Sequence, residues 1–152
     1  WSALKSGLID FVATDHSPSP PNMKTGSLQK AWGGISSLQM LLPAVWTAGR
    51  SEMITIADLS RWTSSEPARF LGLEKSHGDI SSGKEASFVV WNPEKPFAVD
   101  GSSLYHRHKL TPYGGKTLYG MVKATWLRGQ KIYDQNGVAD QPQGKEVYST
   151  QK

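Results

Sequence analysis

Hydrophobic and polar positions follow two different periods along the chain, and the period changes near residue 75. Before that point, residues 9–13 form an apolar run of strand length that ends at Asp15. Pro18 and Pro20 follow soon after, and proline readily continues neither a strand ladder nor a helix. The pattern predicts a buried strand that stops at Asp15.

Helices are predicted on both sides of this strand. Residues 1–7 are typical of the last turn of a helix, with Gly7 as its C-terminal stop. After a loop rich in Pro, Ser, Asn and Gly over residues 17–28, the dense apolar positions of residues 35–46 predict a mostly buried helix. Pro43 either kinks that helix or opens a second one.

Two further helices are predicted before residue 75. Thr55 is a favourable N-cap for the first helix. Ser65, with Pro67 in the first turn, is the predicted cap of the second, which stops at Gly72. Both helices are expected to be packing elements. Their expected core residues are Trp62, Phe70 and Leu71.

Beyond residue 75 the pattern is that of β-strands. Residues 78–91 carry a glycine-rich turn and then a run of residues that favour strands. Residues 121–133 are typical of a hairpin that turns at Gly129. The chain therefore divides into three predicted parts, which are residues 1–74, residues 75–138 and a polar tail over residues 139–152.

Composition narrows the class of function. The 152 residues include no cysteine, which excludes disulfides, thiolate metal sites and a cysteine nucleophile. The net charge of +4 is spread along the chain without a basic block or a nucleic-acid-binding motif, so nucleic acid is not an expected partner. No run approaches the ~18 apolar residues of a membrane helix, and no targeting segment is visible. A soluble, cytoplasmic protein without membrane contact is expected, and the helical start at Trp1 suggests a chain that begins inside a larger one.

Asp15 is the leading candidate for chemistry. Open α/β sheets and barrels place their active sites at the carboxyl ends of inner strands, where side chains face a cleft. By itself the pattern also fits an aspartate that bonds its own backbone in a turn. His16 should leave the strand on the opposite side, as a packing residue or as one that orients Asp15 or the loop. Ser17 and Ser19 are either pocket walls or turn residues.

Two other pairs of residues have both a functional and a structural interpretation. Gly33 and Gly34 either let a ligand approach the backbone at a helix N-terminus or make a tight helix entry. His106 and His108, two apart on a strand, would share one side as a metal pair does. No nearby carboxylate cluster completes such a site, which favours a structural role or a subunit contact. No nucleophile elbow, P-loop or dinucleotide fingerprint is present.

Four segments of the sequence carry motifs. They are Thr-Asp-His-Ser-Pro-Ser-Pro-Pro-Asn-Met-Lys at residues 14–24, Ala-Trp-Gly-Gly at residues 31–34, Gly-x-Ile-x-x-Gly-Lys-x-Ala at residues 78–86 and Leu-Arg-Gly-x-x-Ile-Tyr at residues 127–133. Together they resemble the cyclic amidohydrolases, over nearly the whole chain; Ser87 departs from the aspartate usual in that family. The resemblance implies an α/β fold, namely the C-terminal portion of a (β/α)8 TIM-type metal-dependent hydrolase barrel. Part of a small composite β-sandwich domain would follow it.

Under this resemblance, Asp15 binds one ion of a paired zinc centre and is the acid/base of hydrolysis. A metal-bridged hydroxide would attack the ring amide carbonyl, and Asp15 would pass the proton to the departing ring nitrogen. The other implied ligands, four histidines and a carboxylated lysine, are not in this chain, so the chain alone should be inactive. His16 would support Asp15 without contacting the ions or the substrate. The implied substrate contacts are Ser17, Ser19, Ala31, Trp32 and Gly33.

The implied partner is a small-molecule substrate, a cyclic amide with a hydantoin ring. Dihydropyrimidine and dihydroorotate rings are the alternatives within the family, and a metal-free scaffold subunit is the alternative outside catalysis. The family also implies a homo-oligomer, specifically a tetramer. The same family resemblance implies that the segment with His106 and His108 belongs to the tail region and carries no metal.

Overall fold

The fold was analysed in a computed structural model, which describes residues 1–148. Helix α1 (Ser2–Ser6) opens the chain and ends at Gly7, whose left-handed φ of 77° confirms the predicted stop. The loop that follows Asp15 contains one short 3-10 helix (Pro21–Lys24).

The predicted strand over residues 9–13 is not formed. The segment is extended but pairs with no strand within residues 1–148, and Ile9 is half exposed. Its contacts to the rest of the chain include one backbone bond, from the Val12 N–H to the Trp62 carbonyl at 3.1 Å. The prediction of a buried strand is therefore wrong for this chain, because apolar periodicity makes a strand only where a neighbouring strand supplies hydrogen bonds.

A 3-10 turn (Leu38–Met40) runs directly into helix α2 (Leu41–Gly49). Pro43 lies in the first turn of α2, where a missing N–H leaves no helical hydrogen bond unmade. The predicted kink is absent, and a second helix does begin here, but it opens at Leu41 and not at Pro43. Shorter 3-10 turns occur at Arg50–Glu52 and Gly101–Ser103.

Residues 56–70 form one continuous helical segment with a wide turn in its middle. Helix α3 (Ile56–Ser60) begins at Thr55, which makes the predicted cap. A π-helical turn (Arg61–Ser65) follows and continues into helix α4 (Glu66–Phe70). The prediction that Ser65 caps a separate helix is wrong, because its hydroxyl donates to the Gly78 carbonyl at 3.1 Å instead.

The π-helical turn has a local cause. Pro67 has no N–H, and in an α-helix its ring would clash with the carbonyl four residues earlier. The wider turn directly before Pro67 accommodates the ring, and the Glu66 N–H donates to the Arg61 carbonyl five residues back. The helical segment thereby passes the proline without ending.

The second half of the chain is a four-stranded antiparallel sheet in the order β1-β2-β3-β4. Its hairpin turns at Arg128 and Gly129, whose φ values of 49° and 78° are both left-handed, as a two-residue hairpin turn requires. The predicted hairpin is confirmed. The strands are β1 (Phe88–Ala98), β2 (Thr117–Leu127), β3 (Gln130–Asp134) and β4 (Gly137–Val138).

Two buried clusters form the core, and both join residues from either side of residue 75. The first consists of Met40, Val99, Leu104 and Leu118. The second consists of Trp46, Ile54, Leu59 and Trp62, with Trp91 and Tyr119 of the sheet against it. Trp62 is fully buried, as predicted, but Phe70 and Leu71 are 74% and 55% exposed, because no element within residues 1–148 covers that side of α4. The division into three parts stays a prediction.

The remaining segments add little to the site. Within residues 1–148, no helix is long and apolar enough to cross a membrane. The predicted polar tail forms no helix or strand over residues 139–148, and its last part, residues 149–152, lies outside the described residues. His77 is partly buried and lies 2.8 Å from the Ser76 hydroxyl and 3.5 Å from the Glu85 carboxylate.

Candidate active site

Asp15 ends the extended segment with an exposed side chain and a left-handed φ of 43°. Few residues other than glycine adopt this conformation, and it costs about 1 kcal/mol or more unless the surroundings hold it. Within residues 1–148, the carboxylate makes no hydrogen bond to the backbone, so the turn-aspartate alternative has no support in the structure. The carboxylate is open to solvent.

The residues on both sides of Asp15 are held by one residue, Ser37. The Ser37 hydroxyl donates to the Thr14 carbonyl at 2.9 Å, and the Ser37 N–H donates to the His16 ring at 3.0 Å. The Ser17 N–H donates to the Ile35 carbonyl at 2.8 Å, which makes a short parallel bridge. These bonds fix the backbone before and after Asp15 and explain how its unusual φ persists.

His16 is an acceptor in this structure. Its Nδ1 accepts the N–H groups of Ser37 and Leu38, at 3.0 and 3.1 Å, at the start of the 3-10 turn. A ring nitrogen that accepts two hydrogen bonds carries no proton, so the hydrogen-bond pattern assigns a neutral ring with its proton on Nε2. The ring takes the place of a helix cap.

A second histidine supports the first. The His106 ring is buried, 8% exposed, and its centroid lies 4.7 Å from that of His16. Burial lowers the pKa of His106, and the positive charge of nearby Lys109 lowers it further. A lowered pKa keeps the ring uncharged, in agreement with its Nε2 accepting the Gln39 N–H at 3.5 Å.

Lys24 and Gly34 close the loop after Asp15. The Lys24 ammonium donates to the carbonyls of Trp32, at 2.9 Å, and Gly34. Gly34 lies so close to Ser17 that a Cβ there would stand 2.3 Å from the serine Cβ. The two ends of the loop can approach each other only because position 34 has no side chain.

The predicted substrate contacts lie on this loop, but the structure gives them different environments. Ser19 is buried, 3% exposed, and its hydroxyl has no partner within residues 1–148. Trp32 is half exposed, Gly33 is exposed and Ala31 is partly buried. Gly33 and Gly34 do not begin a helix, because the first helical residue is Leu38, so the expected N–H groups of a helix N-terminus are absent there.

His106 and His108 do not lie on the strand that a metal pair two residues apart requires. Residues 106–108 lie in a bend rather than a strand, and the two side chains therefore need not share a side. Over residues 1–148, no three His, Asp or Glu side chains lie close enough to hold a metal ion.

Sequence reasoning missed three residues of this site, Lys24, Ser37 and His106. The bonds of Ser37 and the ring contact of His106 join positions more than 20 apart in the chain, and no spacing rule predicts them. Lys24 lies within a recognised motif, but its role depends on where the loop returns.

Comparison with known proteins identifies the family of this chain. The family model described as Amidohydrolase family matches residues 1–132. The allantoinase of Streptomyces avermitilis is 47% identical over 145 residues, which cover 95% of this chain and 32% of that protein. The allantoinase of Saccharomyces cerevisiae is 35% identical over 156 residues, covering 100% of this chain and 33% of that protein.

Solved structures show the same fold. L-hydantoinase (dihydropyrimidinase) from Arthrobacter aurescens superimposes with a TM-score of 0.85 at 26% identity, covering 91% of this chain and 32% of that one. Dihydropyrimidinase from Brevibacillus agri gives a TM-score of 0.83 at 21% identity, over 91% and 31% of the two chains. The chain spans about a third of the length of the curated relatives it matches. Since the family model covers every helix and most of the sheet, this chain belongs to the amidohydrolase family.

Proposed function

We propose that this chain is part of an allantoinase, which hydrolyses the hydantoin ring of allantoin to allantoate in purine (ureide) catabolism. The structural observation that carries the proposal is the exposed Asp15 carboxylate, which has no backbone partner within residues 1–148 while both of its neighbours are bonded to Ser37. The allantoinases that are 35% and 47% identical over this chain support the choice of substrate.

In this proposal Asp15 moves the proton of the reaction. A carboxylate within hydrogen-bond reach of both the attacking water and the departing ring nitrogen can take a proton from the first and give it to the second. Solvent exposure leaves the Asp15 oxygens accessible, and the bonds at Thr14 and His16 hold the backbone that carries them. Preorganisation of this kind limits how far the carboxylate can move away from the reacting atoms.

A metal centre is part of the same proposal. A carboxylate is an accepted ligand of zinc, so Asp15 fits as one ligand of a two-ion centre, and the carboxylated lysine and histidines would come from the remainder of the protein. Such ions lower the pKa of a bound water and polarise a carbonyl. In this proposal the chain supplies one ligand, Asp15; within residues 1–148, no three His, Asp or Glu side chains lie close enough to hold an ion by themselves.

Substrate contacts are proposed for Ser17, Ser19, Ala31, Trp32 and Gly33. Ser19 has the most specific support, because a buried hydroxyl without a partner is uncommon and a ligand group could satisfy it. The main-chain atoms of Gly33 are exposed and free of side-chain obstruction, since a Cβ there would meet nothing within 4 Å. A homotetramer in the cytoplasm completes the proposal by family resemblance.

The test is Asp15→Asn in the longer protein that contains this chain. The substitution keeps the size of the side chain but removes the proton acceptor, so we expect the rate of allantoin hydrolysis to fall by about 10²–10⁴-fold. Asp10→Asn, also exposed, is the matched control and should retain activity. Undiminished allantoate formation by Asp15→Asn, with metal content unchanged, would overturn the catalytic role.

A hydantoinase or dihydropyrimidinase is the second candidate, favoured by the similarity to the Arthrobacter aurescens enzyme. Dihydroorotase, or a metal-free scaffold subunit, is a more distant alternative. Turnover of allantoin, hydantoin, dihydrouracil and dihydroorotate by the wild-type protein separates them. Failure to hydrolyse allantoin would reject the first proposal, and failure on all four rings would favour the scaffold.

A further inference from the structure

The conformation of Asp15 depends on residues 35–39, which lie beside it. Ser37 bonds to the residues before and after Asp15, and Leu38 bonds to the second of them. A left-handed aspartate persists only where several contacts hold it. The position of residues 35–39 therefore sets the position of the Asp15 carboxylate.

Residues 35–39 are held in turn by residues 104–111. The Thr111 hydroxyl donates to the Ser36 carbonyl at 2.7 Å, in a buried bond between positions 75 apart in sequence. The Tyr105 N–H donates to the Gln39 side chain at 2.9 Å, and His106 accepts from the Gln39 N–H. His106 also touches His16 directly, with 4.7 Å between ring centroids.

Residues 104–111 are themselves fixed to the core. Leu104 is 2% exposed and packs in one buried cluster with Met40, Val99 and Leu118. Met40 directly follows residues 35–39, so the same cluster anchors both segments. A continuous series of contacts thus runs from the sheet, through the buried Thr111–Ser36 bond, to the backbone on either side of Asp15.

We propose that Thr111 and His106 are positioning residues for Asp15, which act through residues 35–39 and His16. The inference rests on the proposed function, in which Asp15 transfers a proton. Thr111 fixes the position of residues 35–39 through its bond to Ser36, and His106 limits the rotation of the His16 ring. Neither side chain touches the Asp15 carboxylate, so the effect is on its placement.

The expected consequence is a loss of rate without a loss of binding. A misplacement of about 1 Å at a reacting group can cost about 10²-fold in rate, and a hydrogen bond one segment away should cost less than that. Within residues 1–148, the proposed substrate contacts Ala31, Trp32 and Gly33 have no hydrogen bond to residues 35–39, so KM should change less than kcat. A fall in kcat with little change in KM reports misplacement of Asp15 only when kcat is expressed per folded molecule, because loss of folded protein lowers the apparent kcat in the same way.

The experiment compares Thr111→Val with Thr111→Ser in the longer protein. Valine keeps the shape of threonine but cannot donate to Ser36, whereas serine keeps the hydroxyl. We expect Thr111→Val to lower kcat for allantoin by about tenfold with KM within about twofold, and Thr111→Ser to stay close to wild type. Hydrogen exchange of peptides over residues 14–19 and 35–39 should be faster in Thr111→Val alone, because Ser37 and Ser17 amides are donors in the series.

The outcomes separate the two proposals. Faster exchange in Thr111→Val, in a protein whose wild type does not open allantoin, would retain the coupling and reject the proposed function. Unchanged exchange and unchanged kcat in Thr111→Val would overturn the inference. A lower melting temperature with unchanged kcat per folded molecule would overturn it as well. If Thr111→Val fails to fold, the comparison is made at His106 instead. His106→Phe loses the hydrogen-bond acceptor, whereas His106→Gln keeps one, and the same measurements of kcat and hydrogen exchange test the inference.

Discussion

At the scale of single residues, the loop after Asp15 depends on the absence of a side chain at position 34. We expect Gly34→Ala to destabilise the protein by about 1–3 kcal/mol and to expose the Ser17 amide, since an alanine Cβ would stand 2.3 Å from Ser17 Cβ and 3.0 Å from its carbonyl oxygen. Urea denaturation and exchange of the Ser17 N–H measure both effects. Gly33→Ala is the matched control, because a Cβ at position 33 meets nothing within 4 Å. Equal stability of the two variants would contradict this account of the loop.

The sequence predicts the loop after Asp15 and the candidate residues on it, but not the hydrogen bonds that hold the loop in place. An apolar run followed by Asp15 and two prolines is a local signal, which is why the loop and its candidate residues were predictable. The contacts of Ser37 with Thr14 and His16 join distant positions, and His106 gave only the appearance of a metal pair with His108. Contacts between such distant positions depend on how the chain packs, and the periodicity of hydrophobic residues does not predict them.

At the scale of elements, helix α3 begins with a reciprocal cap. The Asp58 N–H donates to the Thr55 hydroxyl at 3.1 Å, and the Thr55 N–H donates to the Asp58 carboxylate at 2.9 Å. Thr55→Ala should therefore lower the free energy of unfolding by about 1 kcal/mol, whereas Thr55→Ser should change it little. Chemical denaturation of the wild type, Thr55→Ala and Thr55→Ser, each in the longer protein, measures the difference in the free energy of unfolding. A Thr55→Ala variant as stable as wild type would show that the cap contributes nothing.

The same cap predicts a dependence on pH. The Thr55 backbone N–H, and then its hydroxyl, hold the pKa of Asp58 below its ordinary value. A carboxyl group with a lowered folded pKa adds stability above its unfolded pKa, about 3.9, and loses it as the pH falls through the folded pKa. Asp58→Asn should therefore lose less stability than wild type between pH 5 and pH 2, as measured by melting temperature. Parallel curves for the two proteins would contradict the prediction.

Helix signals were predictable where they are local and failed where two of them compete. Gly7 and Thr55 act on their own turns, and both predictions are confirmed. Ser65 and Pro67 together are typical of a helix start, yet the chain passes through them in a π-helical turn that accommodates the Pro67 ring, and Trp62 on that turn is fully buried. Tertiary packing overrides a capping pattern here.

At the scale of the whole molecule, a large share of apolar surface lies uncovered on the first half of the chain. Leu8, Met53 and Phe70 are 82%, 87% and 74% exposed, and the Phe70 ring lies 5.2 Å from that of Phe11 between centroids. The extended residues 9–13 pair with no strand within residues 1–148. The sequence predicts burial for Phe70 and residues 9–13, and the hydrophobic pattern is consistent with that in a longer protein, where further strands and helices would cover them.

The isolated 152-residue chain should therefore fold poorly and associate. Exposed apolar side chains and an extended segment with open backbone groups favour pairing between copies. We expect hydrophobic-dye binding, a sedimentation coefficient that rises with concentration, and no cooperative thermal transition. Phe70→Lys, which replaces an exposed aromatic side chain outside both core clusters, should reduce association without restoring cooperativity, because residues 9–13 still lack a partner strand. A monomer that melts in one cooperative step, at a temperature independent of concentration, would show that this chain stabilises its own barrel segment.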